Sequence, residues 1–347
     1  MPDLKSLGPQ GVLRDGWTAT ADEYAFECGW AMNAKALLVG DVAGGVYAFE
    51  GTSGNVRWTL NGLHEGGMLA MSIHPEGKVF ATSGQDGRLT LRSAKEGQVI
   101  QEFVLGEGWI EHLAWSPNGR MLAATLSRRV FVFDIDGQQI WRSEDQASTV
   151  SAIAWASDEQ LATACYSQVN FFDVETGESQ QKLEWKGSLV SMVLSADGDI
   201  VACGSQDNSV HFWRRSTGED SMMSGYPGKP GVLAFDRTGS VLATGGHENV
   251  TVWSFEGDGP EGTTPGMLDL HVKPVSCLEF ARRGLRLASG ARDGSVAVWE
   301  LETNGQGEAV GAAFSGSLIS SMSWRPDGRA LAMANAKGGI TVFRVRS

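Results

Sequence analysis

Proline is scarce in this chain, at 10 of 347 residues, and only four cysteines occur. Lysine and arginine together number 28 against 41 aspartates and glutamates, which leaves a formal net charge of −13. The shortage of proline beside 45 glycines excludes a collagen-like or proline-rich disordered chain and fits many tight turns between short elements. The four cysteines, Cys28, Cys165, Cys203 and Cys277, form no short pair of metal-ligand spacing and sit in apolar stretches. They are expected to be reduced core residues. No run of about 18 apolar residues exists to cross a membrane as a helix. The first residues, MPDLKSLGPQGVLRDG, hold no apolar stretch of signal-peptide length, so the expected compartment is the cytoplasm. The acidity and the lack of any Lys/Arg run argue against nucleic acid as a partner and in favour of simple solubility.

What the chain does have is a period. A bulky apolar residue recurs at Trp30, Ile73, Trp115, Trp155, Leu194, Phe235, Phe280 and Trp324. Each is followed 17 to 19 residues later by a second bulky residue: Phe49, Arg92, Phe133, Phe172, Trp213, Trp253, Trp299 and Phe343. Successive members of the first set stand 39 to 45 residues apart. A period of about 40 to 45 residues built from short strands is the signature of propeller blades. Length alone would suggest two domains, but stacked repeats form one continuous structure.

The seventh repeat shows the unit. VSCLEF (275–280) reads as a short buried strand, LRLASG (285–290) as a second and SVAVWE (295–300) as a third. An Asp-Gly turn separates the last two, and a fourth strand is expected near Glu308 to Phe314. His271, Ser289, Asp293-Gly294 and Trp299-Glu300 give this unit its resemblance to the WD-repeat family, which extends over roughly residues 17 to 347. The resemblance implies that His271, Ser289, Asp293 and Trp299 form one hydrogen-bonded chain. A buried carboxylate needs such partners. Other repeats depart from the pattern. The second keeps His64, Thr82 and Asp86-Gly87 but has Arg92 for the aromatic; the fifth has Cys203 at the hydroxyl position; the sixth has Glu248-Asn249 at the turn. The third and fourth carry Ser127-Arg128-Arg129 and Ser167-Gln168, and the first and eighth carry Gly-Gly turns.

The expectation is therefore an all-β propeller of eight four-stranded antiparallel blades, with seven as the alternative if the first unit is degenerate. Inner strands should begin near Ala25, Met68, Ile110, Val150, Leu189, Pro230, Val275 and Ile319, within a single domain over 1–347. The last unit stops four residues after Phe343 and lacks an outer strand, whose absence would expose a pairing edge. Residues in Gly11 to Thr20, about 10–20, are expected to fill that place and close the ring. The absence of extra domains resembles compact single-domain WD-repeat proteins of bacteria.

A propeller does not name its own function. No Gly-x-Ser-x-Gly elbow and no helix-borne metal motif occurs, and the six histidines show no ligand spacing. Glu27, Glu111 and Glu279 fall on inner strands of three separate repeats and supply no convergent set for a cation. His112 follows Glu111, and strand alternation would point the two apart. No catalytic residues, metal or cofactor are therefore expected. Recognition residues concentrate on scaffolded loops. The resemblance points to the residue before each turn Asp, namely Gln85, Gln206 and Arg292, and to Phe26, Trp109 and Glu111 where inner strands start. Tyr166, Arg129 and His247 hold equivalent turns in the divergent repeats. The reading is a monomeric, non-catalytic scaffold for one or more proteins. An accessory or chaperone-like partner of an enzyme or metal-handling protein is the alternative. A hydrolytic or ligand-binding site at the channel mouth ranks below both.

Overall fold

The computed structural model describes residues 8–257 and 259–346. The ends of the expected domain, 1–7 and 347, and Asp258 of the linker after the sixth repeat's third strand lie outside them. Every regular element among the described residues is a β-strand. In the seventh repeat Val275–Phe280, Arg286–Ala291, Ser295–Leu301 and Gly307–Phe314 pair antiparallel in chain order. The second and third are buried along almost their whole length, which is why their sequences are near-continuous apolar or small residues. The turn between them needs glycine at Gly294: φ is +90°, and a Cβ would lie 2.7 Å from the Ser317 carbonyl oxygen.

Among the described residues the hydrogen-bonded sheets number seven, the alternative count, and not the eight separate ones expected. The first unit is not the reason, because Ala25–Ala31, Ala36–Asp41, Val46–Glu50 and Val56–Leu60 form a complete four-stranded sheet. The fourth and fifth repeats share one six-stranded sheet through the long segment Ser179–Leu194. Its first part pairs with Gln168–Phe172 and its second with Val201–Ser205. One strand thus serves as the outer strand of the fourth repeat and the inner strand of the fifth. A register shift near Tyr166 and Ser188 marks where it passes from one to the other.

Inner ladders begin at Ala25, Met68, Val275 and Ile319. Three others start later than the apolar pattern suggests, at Leu113, Ala152 and Val232 instead of Ile110, Val150 and Pro230. The amides of Ile110 and Val150 bond to Gly84 and Ser127 of the preceding repeat, as those of Met68 and Val275 do to Val42 and His247. At the third repeat His112 then gives its amide to the Thr125 hydroxyl, and Pro230 has no amide to give. Leu13–Thr20 pairs with Gly339–Val345, from Leu13 opposite Val345 to Thr20 opposite Gly339. Gln10–Gly11 pairs instead with the outer strand of the seventh repeat, Gln10 opposite Ala312.

The apolar core of the described residues falls into eight clusters, each lying between two adjacent repeats, including the eighth with the first. Two bonding rules hold these seams. Near the centre, Trp115, Trp155 and Trp324 donate their indole N–H to the carbonyls of Ser72, Ala114 and Glu279 in the preceding repeat, at 3.2, 2.9 and 2.9 Å. Trp30 does the same to Ser323 at 3.0 Å, so the join between the chain's two ends repeats the internal seams. At the rim, an aromatic on an outer strand packs on the next repeat's third- or second-strand phenylalanine. The pairs are Trp17 on Phe49, Trp58 on Phe80, Phe103 on Phe133 and Trp141 on Phe172, with ring centroids 4.5 to 5.8 Å apart. Each such pair contributes about 0.5–1.5 kcal/mol beyond burial.

Candidate functional site

The polar core of the seventh repeat is assembled as a chain. His271 Nε2 lies 2.7 Å from Ser289 Oγ, and Trp299 donates its indole N–H to the same oxygen at 2.8 Å. Asp293 does not touch His271. Its carboxylate accepts the hydroxyl and amide of Ser295 and the amide of Val272, and Ser295 Oγ lies 2.6 Å from His271 Nδ1. Burial holds the His271 pKa down to about 4, so the ring is neutral and its bonds are structural. In the second repeat the aspartate is direct: His64 Nδ1 is 3.1 Å from Asp86 and Nε2 is 3.0 Å from Thr82.

The divergent repeats fill the same place differently. In the sixth, Tyr226 OH accepts the Thr244 hydroxyl at 3.1 Å and the Trp253 indole N–H at 2.8 Å. In the fourth, Gln146 Oε1 accepts from Thr163 at 2.8 Å and from Asn170 at 3.3 Å. In the fifth, Trp185 stacks on His211 at 3.8 Å, and Cys203 offers no hydroxyl. The Gly-Gly turns of the first and eighth are capped by Asp41 and Asn335, whose side-chain oxygens accept the amides of Gly45 and Gly339. These residues were missed in the sequence, and a signal was there. His64–Thr82, Tyr226–Thr244 and His271–Ser289 are each 18 apart, and Asp41 and Asn335 each stand four residues before the second glycine.

At the centre, a cavity of about 440 Å³ is bordered by the inner strands of the first six repeats, including Phe26, Glu111 and His112. Glu111 and His112 both border it, as consecutive residues of other inner strands do. Glu27 borders the same cavity and is half-buried. Its pKa is raised to about 7 by burial, against a hydrogen bond from Ser321 Oγ at 3.2 Å. Glu279 is raised to about 8 by burial, against the Trp324 amide it accepts at 2.9 Å. Both carboxyls thus press against the inner strand of the eighth repeat. No group of three or more His, Cys, Asp or Glu among the described residues is placed to hold a metal ion.

The recognition candidates lie where second-to-third-strand turns meet the starts of inner strands. Gln85, Gln206 and Arg292 are equivalent by geometry: their amides donate to the carbonyls of Gly67, Ser188 and Pro274, each one residue before an inner strand's first position. Val42 and Ala336 make the same bond to Tyr24 and Leu318. The His247 carbonyl accepts the amide of Val275 at 2.8 Å. Trp109 is 53 % exposed and Tyr166 55 % exposed; Val42 on the first repeat's second-to-third-strand turn and Val272 before the seventh inner strand are also exposed. Arg129 is engaged with Asp145 at 2.6 Å. Phe26 and Glu111 share the central cavity, whereas the other candidates are distributed around the ring.

Four-stranded meanders and a seam rule repeated around a central cavity define a β-propeller, and the His–Ser–Trp core gives its seventh repeat the likeness to WD repeats. The comparisons with known proteins agree. The family model described as "Outer membrane protein assembly factor BamB" matches residues 14–222, more than half of the chain, and the chain belongs to that family. The model described as "WD domain, G-beta repeat" matches residues 262–300, which enclose the complete polar core of the seventh repeat. Autophagy-related protein 16 of Arabidopsis thaliana is 24 % identical over 303 residues, covering 81 % of this chain and 56 % of that protein. The chain spans about half or less of the length of such curated relatives. Two solved structures have the same fold, each with a TM-score of 0.82 and 97 % of this chain covered. They are the computationally designed Ika8 protein, at 17 % identity and 100 % coverage, and the C-terminal WD40 domain of Sif2, at 12 % and 99 %.

Proposed function

We propose that this chain is a non-catalytic protein-interaction scaffold whose partner docks on the face where the second-to-third-strand turns gather. The observation that carries the reading is the pairing of rigidity with exposure there. Trp109 and Tyr166 stand out in solvent, while the neighbouring turns are pinned to inner strands by backbone bonds. Large rigid side chains held ready in this way lose little entropy on binding, and aromatics and arginine dominate interface energies. Arg292, Gln85 and Gln206 supply polar contacts at equivalent positions, with Val42 and Val272 as apolar neighbours. Several relatives are named as WD-repeat proteins, which supports a binding role in general and names no partner.

The test is crosslinking in cells with tagged wild-type chain and the Trp109→Ala/Tyr166→Ala variant, followed by identification of the captured proteins. Loss of a reproducible wild-type partner from the variant supports this face. An unchanged set, or capture of nothing by the wild type, counts against it.

A further inference from the structure

The opposite face of the ring, formed by the turns between first and second strands, carries a feature that the overall acidity conceals. A cavity of about 620 Å³ opens there between the seventh and eighth repeats. Five of its eleven lining residues are arginines, in a chain whose net charge is −13. They arrive from three separate segments. Arg282, Arg283 and Arg286 come from the 281–286 turn and the strand after it, Arg329 from the turn after Trp324, and Arg346 from beyond the last strand. Because they are dispersed in sequence, no basic run announces them.

Two carboxylates share the wall. Glu300 is taken by Arg286 at 2.9 Å, and Asp327 accepts the backbone amide of Arg329 at 3.0 Å. Among the described residues, the guanidinium groups of Arg282, Arg283 and Arg329 have no hydrogen-bond or ion-pair partner, and all three residues are exposed. No lysine lines the cavity. Arginine presents a planar fork that matches oxyanions with two parallel hydrogen bonds, which a lysine does not. Gathering like charges in a concave wall raises the local potential and concentrates anions. The concavity and its size suit a compact ligand more than the flat footprint of a folded partner.

We propose that this cavity binds a compact polyanion carrying two or more linked phosphate groups, held by Arg282, Arg283 and Arg329. The site is independent of the turn-face scaffold reading.

The experiment is calorimetric titration of the full chain with inorganic tripolyphosphate at low and moderate salt, for wild type and Arg283→Ala/Arg329→Ala. Both positions are exposed, and an unchanged melting curve checks that the variant folds. The expected result is saturable binding that weakens with salt and falls at least tenfold in the variant. Protection of Arg282, Arg283 and Arg329 from phenylglyoxal by tripolyphosphate, read by mass spectrometry, provides a second measure without substitution. The proposal is overturned if tripolyphosphate does not bind, or if it binds the variant equally. Tighter binding of a glutamate-rich decapeptide than of tripolyphosphate would also overturn it, by making the cavity a dock for acidic protein segments.

Discussion

The seventh and fifth repeats each bury a histidine beside a third-strand tryptophan and hold it in opposite ways. In the seventh, both nitrogens of His271 are bonded, to Ser289 and Ser295. In the fifth, His211 lies between Trp185 and Trp213, with ring centroids 3.8 and 4.3 Å away, and neither nitrogen has a hydrogen-bond partner. Asp220 Oδ2 is 3.1 Å from His211 Nε2 but without the alignment of a hydrogen bond. Three places differ: Cys203 stands for Ser289, Trp185 for His271 and His211 for Ala297. Ser289 can accept and donate, and Cys203 in its place cannot anchor the same chain. The slot 18 residues earlier then passes from His271 to Trp185, and stacking replaces hydrogen bonding. A propeller repeat therefore needs something that fills and satisfies this slot, and polar or aromatic solutions both serve.

The contrast can be broken most directly at His271. His271→Phe should cost about 2–4 kcal/mol, because Ser289, Ser295 and Trp299 lose a shared network in a buried place. His211→Phe should change stability by less than about 1 kcal/mol, since no hydrogen bond is lost and the stack is kept. Urea unfolding of both variants checks this, and equal costs would end the distinction.

The next largest effect concerns pH. Glu27 and Glu279 have folded pKa values of about 7 and 8, above an ordinary value of 4.5. Between about pH 4.5 and 8 the folded ring holds more protons than the unfolded chain, so stability should fall as pH rises through that window. Glu279→Gln and Glu27→Gln should each flatten the fall and raise the melting temperature at pH 8 by a few degrees. Melting curves from pH 5 to 9 are the measurement, and parallel curves for wild type and variants would refute the assignment.

Tyr226→Phe should cost about 1–2 kcal/mol by leaving Thr244 and Trp253 without their shared partner, placing the sixth repeat with the seventh and not the fifth. The smallest effect is at the inner seams. Trp30→Phe and Trp155→Phe each remove one indole bond, to Ser323 and Ala114, and should each cost about 1 kcal/mol. A markedly larger loss for Trp30 in urea unfolding would show that the closing seam is not equivalent to the others.

Much of this architecture was legible because propeller repeats obey a period that a single sequence displays. Trp30, Trp115, Trp155 and Trp324 announced the repeats, although their indole bonds to the preceding carbonyls could not be read from apolar character. The seventh repeat's core was visible residue by residue, apart from Ser295, which stands between Asp293 and His271. Tyr226, Gln146 and Trp185 were not recognised, because they do the work of a histidine with different chemistry, and only spacing connects them. The merging of the fourth and fifth repeats into one sheet arises where a tight connection is absent, and no residue type marks that absence. The arginine cavity was invisible for a related reason: its members meet only after two repeats and the chain's last strand are brought side by side.

The two-part docking of the early segment has a consequence for biosynthesis. Leu13–Thr20 is synthesised long before its partner Gly339–Val345, with the whole series of repeats between them. Gln10–Gly11 likewise waits for Ala312 and its neighbours. While the intervening residues are made, the nascent chain carries an unpaired β-strand and an open series of sheets behind it. Such edges are prone to pairing with other chains, and long-range strand pairing is slow. Exposure to misassembly therefore lasts until Gly339–Val345 has been made and the ring can close.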